Sequence, residues 1–279
     1  MFRKYLPMPR FRLPTIKQRV IKRNFLTKRQ KLVVGVIVLS SGLFFVEQFL
    51  KESGIYFVAL LSFVTNIFLF WALKDDLKNN FTVQTFILPF FFTLSFGLFY
   101  LLFPERLIVK IALTIIYAVG LYAVYLSHNI FVVSSVRTIA LLSSARTVSF
   151  ITTLISFFIL TNVIFSLHLN IIFTILFIGI ATFPLIVHSI WNYNLDKDIK
   201  SEIPWGVMLT ISVIEVSLLL WFWPSSATII ALFLTGFLYI ILGLSHLWFE
   251  KRLFKSVLWE YIYVAVAVFL MLLVFTPWT

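Results

Sequence analysis

The sequence predicts an all-α protein, a polytopic transmembrane helical bundle of about nine spans, and three observations carry that expectation. Of 279 residues, 61% are hydrophobic and only 12% charged, whereas soluble domains hold roughly 45–50% and about 25%. Mean hydropathy is +1.02. The apolar residues also run continuously over the roughly 20 positions a helix needs to cross a bilayer core of about 30 Å. A barrel wall would alternate in and out, and a helix alone satisfies its backbone groups inside lipid without an edge. A water-soluble globule and a barrel are both excluded.

By that ruler the spans are Leu32–Phe49, Ile55–Leu73, Val83–Phe103, Ile108–Leu126, Val148–Leu167, Asn170–Trp191, Ile203–Trp223, Ala227–Trp248 and Val257–Phe275. Residues 1–31 form a basic cytoplasmic tail and residues 32–279 the transmembrane helical domain. The first apolar run lies behind that tail with no small-residue cleavage site after it, so it reads as a signal anchor retained in the protein.

Orientation follows from Lys and Arg, which stay cytoplasmic in short loops. A cytoplasmic N-terminus and an extracytoplasmic C-terminus place 20 of the 23 Lys and Arg inside, leaving Lys51, Arg106 and Lys110 outside. The segment Asn129–Thr147 is apolar enough to suggest a tenth span, but inserting it inverts everything downstream and centres Arg137 in the membrane. A central Arg costs about 2.5–3.5 kcal/mol. The segment is therefore expected as an interfacial helix between the fourth and fifth spans. Trp71, Trp191, Trp205, Trp248 and Trp259 then mark inner span ends, and Tyr100, Trp221 and Trp223 outer ones.

The chain has no cysteine, which removes disulfides, thiolate nucleophiles and Cys-ligated metal centres. Its tail carries no acid, so it reads as a topology determinant that can also contact anionic lipid at the cytoplasmic face. Nucleic-acid binding has no supporting motif.

Ionisable residues inside spans are costly, so they are the first functional candidates. Glu215 sits midway along its span with Ser212 one turn before it, and reads as a hydrogen-bonding strut or as the lining of a hydrated pathway. A second cluster is expected at the inner ends of the last four spans: His188, one turn after Pro184, with Tyr239, His246 and Glu260. Gly236, Tyr239, Gly243 and His246 recur every three or four residues on one face, where small residues admit a close neighbour. Contact between His246 and Glu260 is expected across the short loop joining their spans. Two His and a carboxylate form a metal-ligand set, but their spacing follows no metal motif, and no cofactor is predicted. Ser134-Ser135-Val136-Arg137-Thr138 and Ser143-Ser144-Ala145-Arg146-Thr147 form a repeat that makes Arg137 and Arg146 candidate headgroup contacts.

Phosphate-cradling loops, nucleophile elbows and paired haem ligands are missing, and the extracytoplasmic loops are short. The sequence thus points to a non-enzymatic protein of the plasma (inner) membrane, permease-like or a membrane scaffold. Its expected partners are the lipid bilayer, anionic lipid and other proteins or a second copy. The alternative is a membrane-embedded enzyme acting on lipid or lipid-linked substrate at the cytoplasmic face, with His246 or His188 as base and Arg137 or Arg146 as headgroup clamp.

Overall fold

The computed structural model describes residues 27–49, 54–77, 81–102, 107–134, 140–195, 200 and 202–277. Most of the basic tail, Arg137, and the C-terminal Trp278 and Thr279 lie outside them. The described chain is helical: α1 (Lys28–Phe49), α2 (Gly54–Leu77), a 3-10 turn (Val83–Phe86) leading into α3 (Ile87–Leu102), α4 (Leu107–Ser134), α5 (Leu142–Ser166), α6 (Ile171–Asn194), α7 (Ile203–Trp221), α8 (Ala227–Phe249) and α9 (Lys255–Phe275). Among the described residues there are nine segments long and apolar enough to cross a membrane.

Local chemistry explains several boundaries. Asn170 caps α6, its side chain accepting from the Phe173 amide at 3.1 Å. The helix ends where Leu195 adopts a left-handed φ of 51° and its amide returns to the Trp191 carbonyl. Pro204 stands in the first turn of α7, where its missing N–H removes no bond.

The expected interfacial helix is not a separate element among the described residues. Asn129–Ser134 continues α4, and Leu142–Thr147 opens α5. The apolar run Ile130-Phe131-Val132-Val133 carries α4 onward, because His128 and Phe131 are fully buried instead of facing water.

The central helix is α5, which packs against α3, α4, α6 and α8. Leu39, Leu69, Phe92, Leu121, Phe157, Leu185, Leu234 and Leu238 are almost completely buried and fill the bundle. Peripheral α9 lies against α8 and buries only Leu272. At that seam a Cβ on Gly236 would come within 2.7 Å of Val268, and one on Gly243 would enter the Tyr261 ring. The close approach expected of the small residues is therefore present, with α9 as the neighbour.

Side-chain contacts gather one set of helix ends together. Lys28 at the start of α1 pairs with Asp76 at the end of α2. Arg146 at the start of α5 reaches the last turn of α6, and His246 near the end of α8 meets Ser189 of α6. This end also carries Arg29, Lys31, Lys74, Lys251, Arg252 and Lys255, and is called the basic end below. At the opposite end Asn162 donates to Thr228 at 3.0 Å and Trp223 to Thr276 at 2.8 Å.

Two aromatic residues expected at membrane interfaces are inside the protein. Trp191 is 1% exposed and packs on Phe131 with ring centroids 6.0 Å apart. Tyr100 is equally enclosed, its hydroxyl donating to the Lys110 carbonyl at 3.2 Å. Helix packing claims both rings before the headgroups can.

Candidate functional site

At the basic end four helices and the 3-10 turn enclose a polar layer. His128 of α4 and His188 of α6 stack with centroids 5.1 Å apart and planes 10° from parallel. Each is fully buried. His188 Nδ1 lies 2.8 Å from the Gln84 carbonyl and His128 Nδ1 2.7 Å from the Val124 carbonyl. A carbonyl only accepts, so each Nδ1 carries the proton, and each neutral ring turns a bare Nε2 to its surroundings.

The two Nε2 atoms differ in what they meet. That of His188 lies 3.3 Å from both Asn192 Nδ2 and Ser149 Oγ. Asn192 Nδ2 also donates to Ser149 Oγ at 2.8 Å. Because His188 Nε2 can only accept, the Asn192 amide nitrogen must point toward it, and that fixes Oδ1 on the other side. Asn192 Oδ1 and His128 Nε2 are both buried and receive no hydrogen bond among the described residues, nor does Oδ1 of Asn129, the residue after His128. All three are acceptors. Nearby, Gln84 Nε2 donates to buried Glu202 at 3.4 Å, tying the start of α7 to the same layer.

A second group adjoins it. Ser189 Oγ lies 3.1 Å from His246 Nε2, and the His246 ring stacks on Tyr193 at 3.9 Å. Arg146 lies over the other part of this group, 4.8 Å from the Tyr193 ring centroid. Its Nε donates to the Asn192 carbonyl at 3.0 Å and its Nη2 to the Tyr193 carbonyl at 2.8 Å. Nη1 faces Glu250 at 3.6 Å. These carbonyls belong to the last turn of α6, where no helical donor remains and a cation is favoured by the helix dipole. Arg146 thus fastens α5 to α6 and α8 through two hydrogen bonds and an ion pair.

The predicted cluster is accordingly divided. His188 and His246 both reach the basic end, in adjoining groups bridged by α6. Tyr239 turns to Phe150 and Tyr261, each 5.7 Å away. At about 100° per residue, the ten residues from Gly236 to His246 rotate the stripe by about 80°, so its beginning faces α9 and His246 reaches α6. Glu260 is exposed on α9 and makes no hydrogen bond or ion pair with His246. The acid brought to this end of α8 is Glu250, which also faces Arg252 at 3.6 Å.

Glu215 is exposed on the surface of α7, two residues and about 200° around the helix from buried Val213. Ser212 is partly buried, and its hydroxyl donates to the Met208 carbonyl at 3.2 Å. Arg137 falls outside the described residues. No three His, Asp or Glu side chains among the described residues form a metal-ligand group. A groove of about 500 Å³ at the opposite end is lined by Phe165, His168, Trp221 and Trp223, and contains none of the predicted site residues.

A family described as "protein of unknown function (DUF5656)" matches residues 38–275. The chain belongs to that family. The matched stretch runs from within α1 to the end of α9 and includes every residue of the polar layer. No curated protein matches the chain, and no solved structure does.

His128, Gln84, Ser149, Asn192 and Glu250 were not among the predicted site residues. Ending the fourth span at Leu126 and the sixth at Trp191 placed His128 and Asn192 just outside the membrane, where polar residues attract no notice. The available signal was His128 followed by the apolar run Ile130–Val133, which favours continuing the helix.

Proposed function

We propose that this integral membrane protein is non-enzymatic and permease-like, and that the His128–His188–Asn192 layer holds a small uncharged solute that donates hydrogen bonds. The observation that carries this reading is the pair of bare, buried acceptors, His128 Nε2 and Asn192 Oδ1. An unfilled buried acceptor costs about 1–3 kcal/mol, and a hydroxyl or amide N–H restores that loss. An anion brings further lone pairs against the same atoms. A cation would bring its charge to a layer that already holds the Arg146 guanidinium on the Asn192 backbone carbonyl and the buried Glu202 carboxyl on Gln84. A neutral polyol or urea-type solute supplies the missing donors without adding a charge to the layer.

In this reading the basic end faces the cytoplasm of the plasma membrane, as the distribution of Lys and Arg favours. The bundle beyond the site is filled by Phe92, Leu121, Phe157 and Leu185, so passage requires helix movement. Pro184 inside α6, one turn before His188, removes a backbone hydrogen bond and provides a hinge there.

The test is stopped-flow swelling of proteoliposomes with glycerol and urea, and with methylammonium as the charged comparison. The wild type is expected to admit the neutral solutes at least about tenfold faster than protein-free vesicles and to leave methylammonium unaccelerated. His128→Phe and Asn192→Leu remove the acceptors and should return the rate to baseline. No acceleration by the wild type, or full acceleration by both variants, refutes the reading.

One observation favours the enzymatic alternative: a bare Nε2 fixed by an Nδ1–H bond is competent as a general base. His188 Nε2 is already bonded, so the role passes to His128. Turnover of an added lipid substrate without solute flux selects that alternative.

A further inference from the structure

Helix α7 turns Gly206, Thr210, Val213, Ser217 and Leu220 into the bundle. It lies so close to α6 that a Cβ on Gly206 would stand 2.7 Å from Val187. Its other side exposes Met208 at 62%, Ile211 at 49% and Leu218 at 39%, with Glu215 among them and Phe222, 68% exposed, just past the end of the helix. Positions 208, 211, 215, 218 and 222 are spaced three, four, three and four apart. That is the spacing of an a/d seam in a left-handed helix pair, in which Glu215 would take the central a position.

Every helix packed on one side shows an outward stripe, so the spacing alone does not separate a seam from a lipid-facing surface. The acid does. Glu215 lies six residues, or about 9 Å, inside the end of α7 at Trp221, farther than its short side chain extends. It makes no hydrogen bond or ion pair among the described residues. An exposed carboxyl at that depth costs about 2.5–3.5 kcal/mol against hydrocarbon, and intramembrane acids accordingly face protein or water.

We propose that α7 is a homodimerisation helix, joined to α7 of a second copy about a two-fold axis, with the two Glu215 carboxyls facing each other. The chemistry selects this occupant. A different protein must bring a basic residue or other donor to that depth. In this chain Lys110 does not serve, because it is buried on α4 with its ammonium over the Tyr100 ring. A two-fold axis sets a residue against itself, and the carboxyl in its acid form both donates and accepts, so it is its own complement. A single polar residue at a central a position also fixes register and favours a pair over larger assemblies. Met208, Ile211, Leu218 and Phe222 supply the apolar packing on either side.

The absence of cysteine from the chain makes the test direct. Full-length protein carrying Ile211→Cys or Leu218→Cys is oxidised in membranes, with Ile116→Cys on the exposed face of α4 as control, and its mass is measured in mild detergent. The two α7 variants should form disulfide-linked dimers and the control should not. Adding Glu215→Leu should weaken dimerisation by about tenfold, as expected for loss of an interhelical polar pair, while Glu215→Gln, which also donates and accepts, should preserve it. Cross-linking of the α7 variants no stronger than the control, unchanged cross-linking with Glu215→Leu, or capture of a different polypeptide each overturns the proposal.

Discussion

Two polar layers cross the interior of this bundle, and they differ in how their protons are used. In the middle of α2, α3 and α4, Tyr117 OH lies 3.0 Å from Thr93 Oγ1, and Thr93 Oγ1 lies 3.0 Å from Thr65 Oγ1. Thr65 Oγ1 then donates to the Leu61 carbonyl at 2.9 Å. Each hydroxyl donates to the next, and the last proton ends on a carbonyl. Tyr125 adds a bond to the Thr65 carbonyl at 2.7 Å. Every hydroxyl of this chain is paired among the described residues, and the open acceptor at this level, Asn66 Oδ1 on the next residue along α2, lies outside it. In the basic-end layer the protons run out, leaving His128 Nε2 and Asn192 Oδ1 bare. A saturated network holds helices together, whereas an acceptor surplus at a fixed geometry is a place for something that donates.

The sharpest way to break this contrast is to delete one member of each layer and measure both flux and stability. His128→Phe should abolish the rise in solute permeability and leave thermal stability within about 0.5 kcal/mol, because it removes an unsatisfied atom from a buried ring. A large stability loss with this variant would make the basic-end layer glue like the other one.

Arg146→Ala is next in size. It leaves the Asn192 and Tyr193 carbonyls without their guanidinium donor and Glu250 without its closest cation on α5. Hydrogen bonds to charged groups contribute about 1.5–3 kcal/mol each, so a loss of about 2–3 kcal/mol is expected in a thermal or SDS denaturation series. Arg146→Lys should recover less than half, since an ammonium on a flexible stem lacks the planar fork that meets both carbonyls and Glu250 together. If instead Arg146 serves as a headgroup contact, the variant keeps its stability and loses affinity for vesicles containing anionic lipid.

Much of this architecture is readable in the sequence, because apolar run length is set by the bilayer and no tertiary interaction overrides it. All nine runs are helices, and the Gly236/Gly243 stripe receives a neighbour. The candidate layer is less readable. His128 and Asn192 lie within a turn or two of their helix ends, where one or two residues of boundary error decide whether a polar side chain counts as buried. Glu215 shows the opposite limit. Its depth is plain from the sequence, but which way it faces depends on where α6 and α8 pack, and Gly206, not the acid, decides that. The exchange of Glu260 for Glu250 has the same origin, since it turns on the path of a short loop.

The saturated layer offers the finer test. Thr93→Val breaks the chain at its middle and strands the Tyr117 hydroxyl as a buried donor, at an expected cost of about 1–2 kcal/mol. Tyr117→Phe removes the first donor instead. Thr93 still passes its proton to Thr65, and the ring keeps its stack on Phe92, with centroids 5.9 Å apart and planes 18° from parallel. Its cost should be one interhelical bond, about 0.5 kcal/mol, with solute flux unchanged. The direction of the chain produces this inequality. Run the other way, Thr65 toward Tyr117, the final phenolic proton has no acceptor and Tyr117→Phe relieves the layer. A stability gain from Tyr117→Phe in the denaturation series therefore means that the mid-bundle network also carries an unpaired group, and saturation ceases to distinguish the two layers.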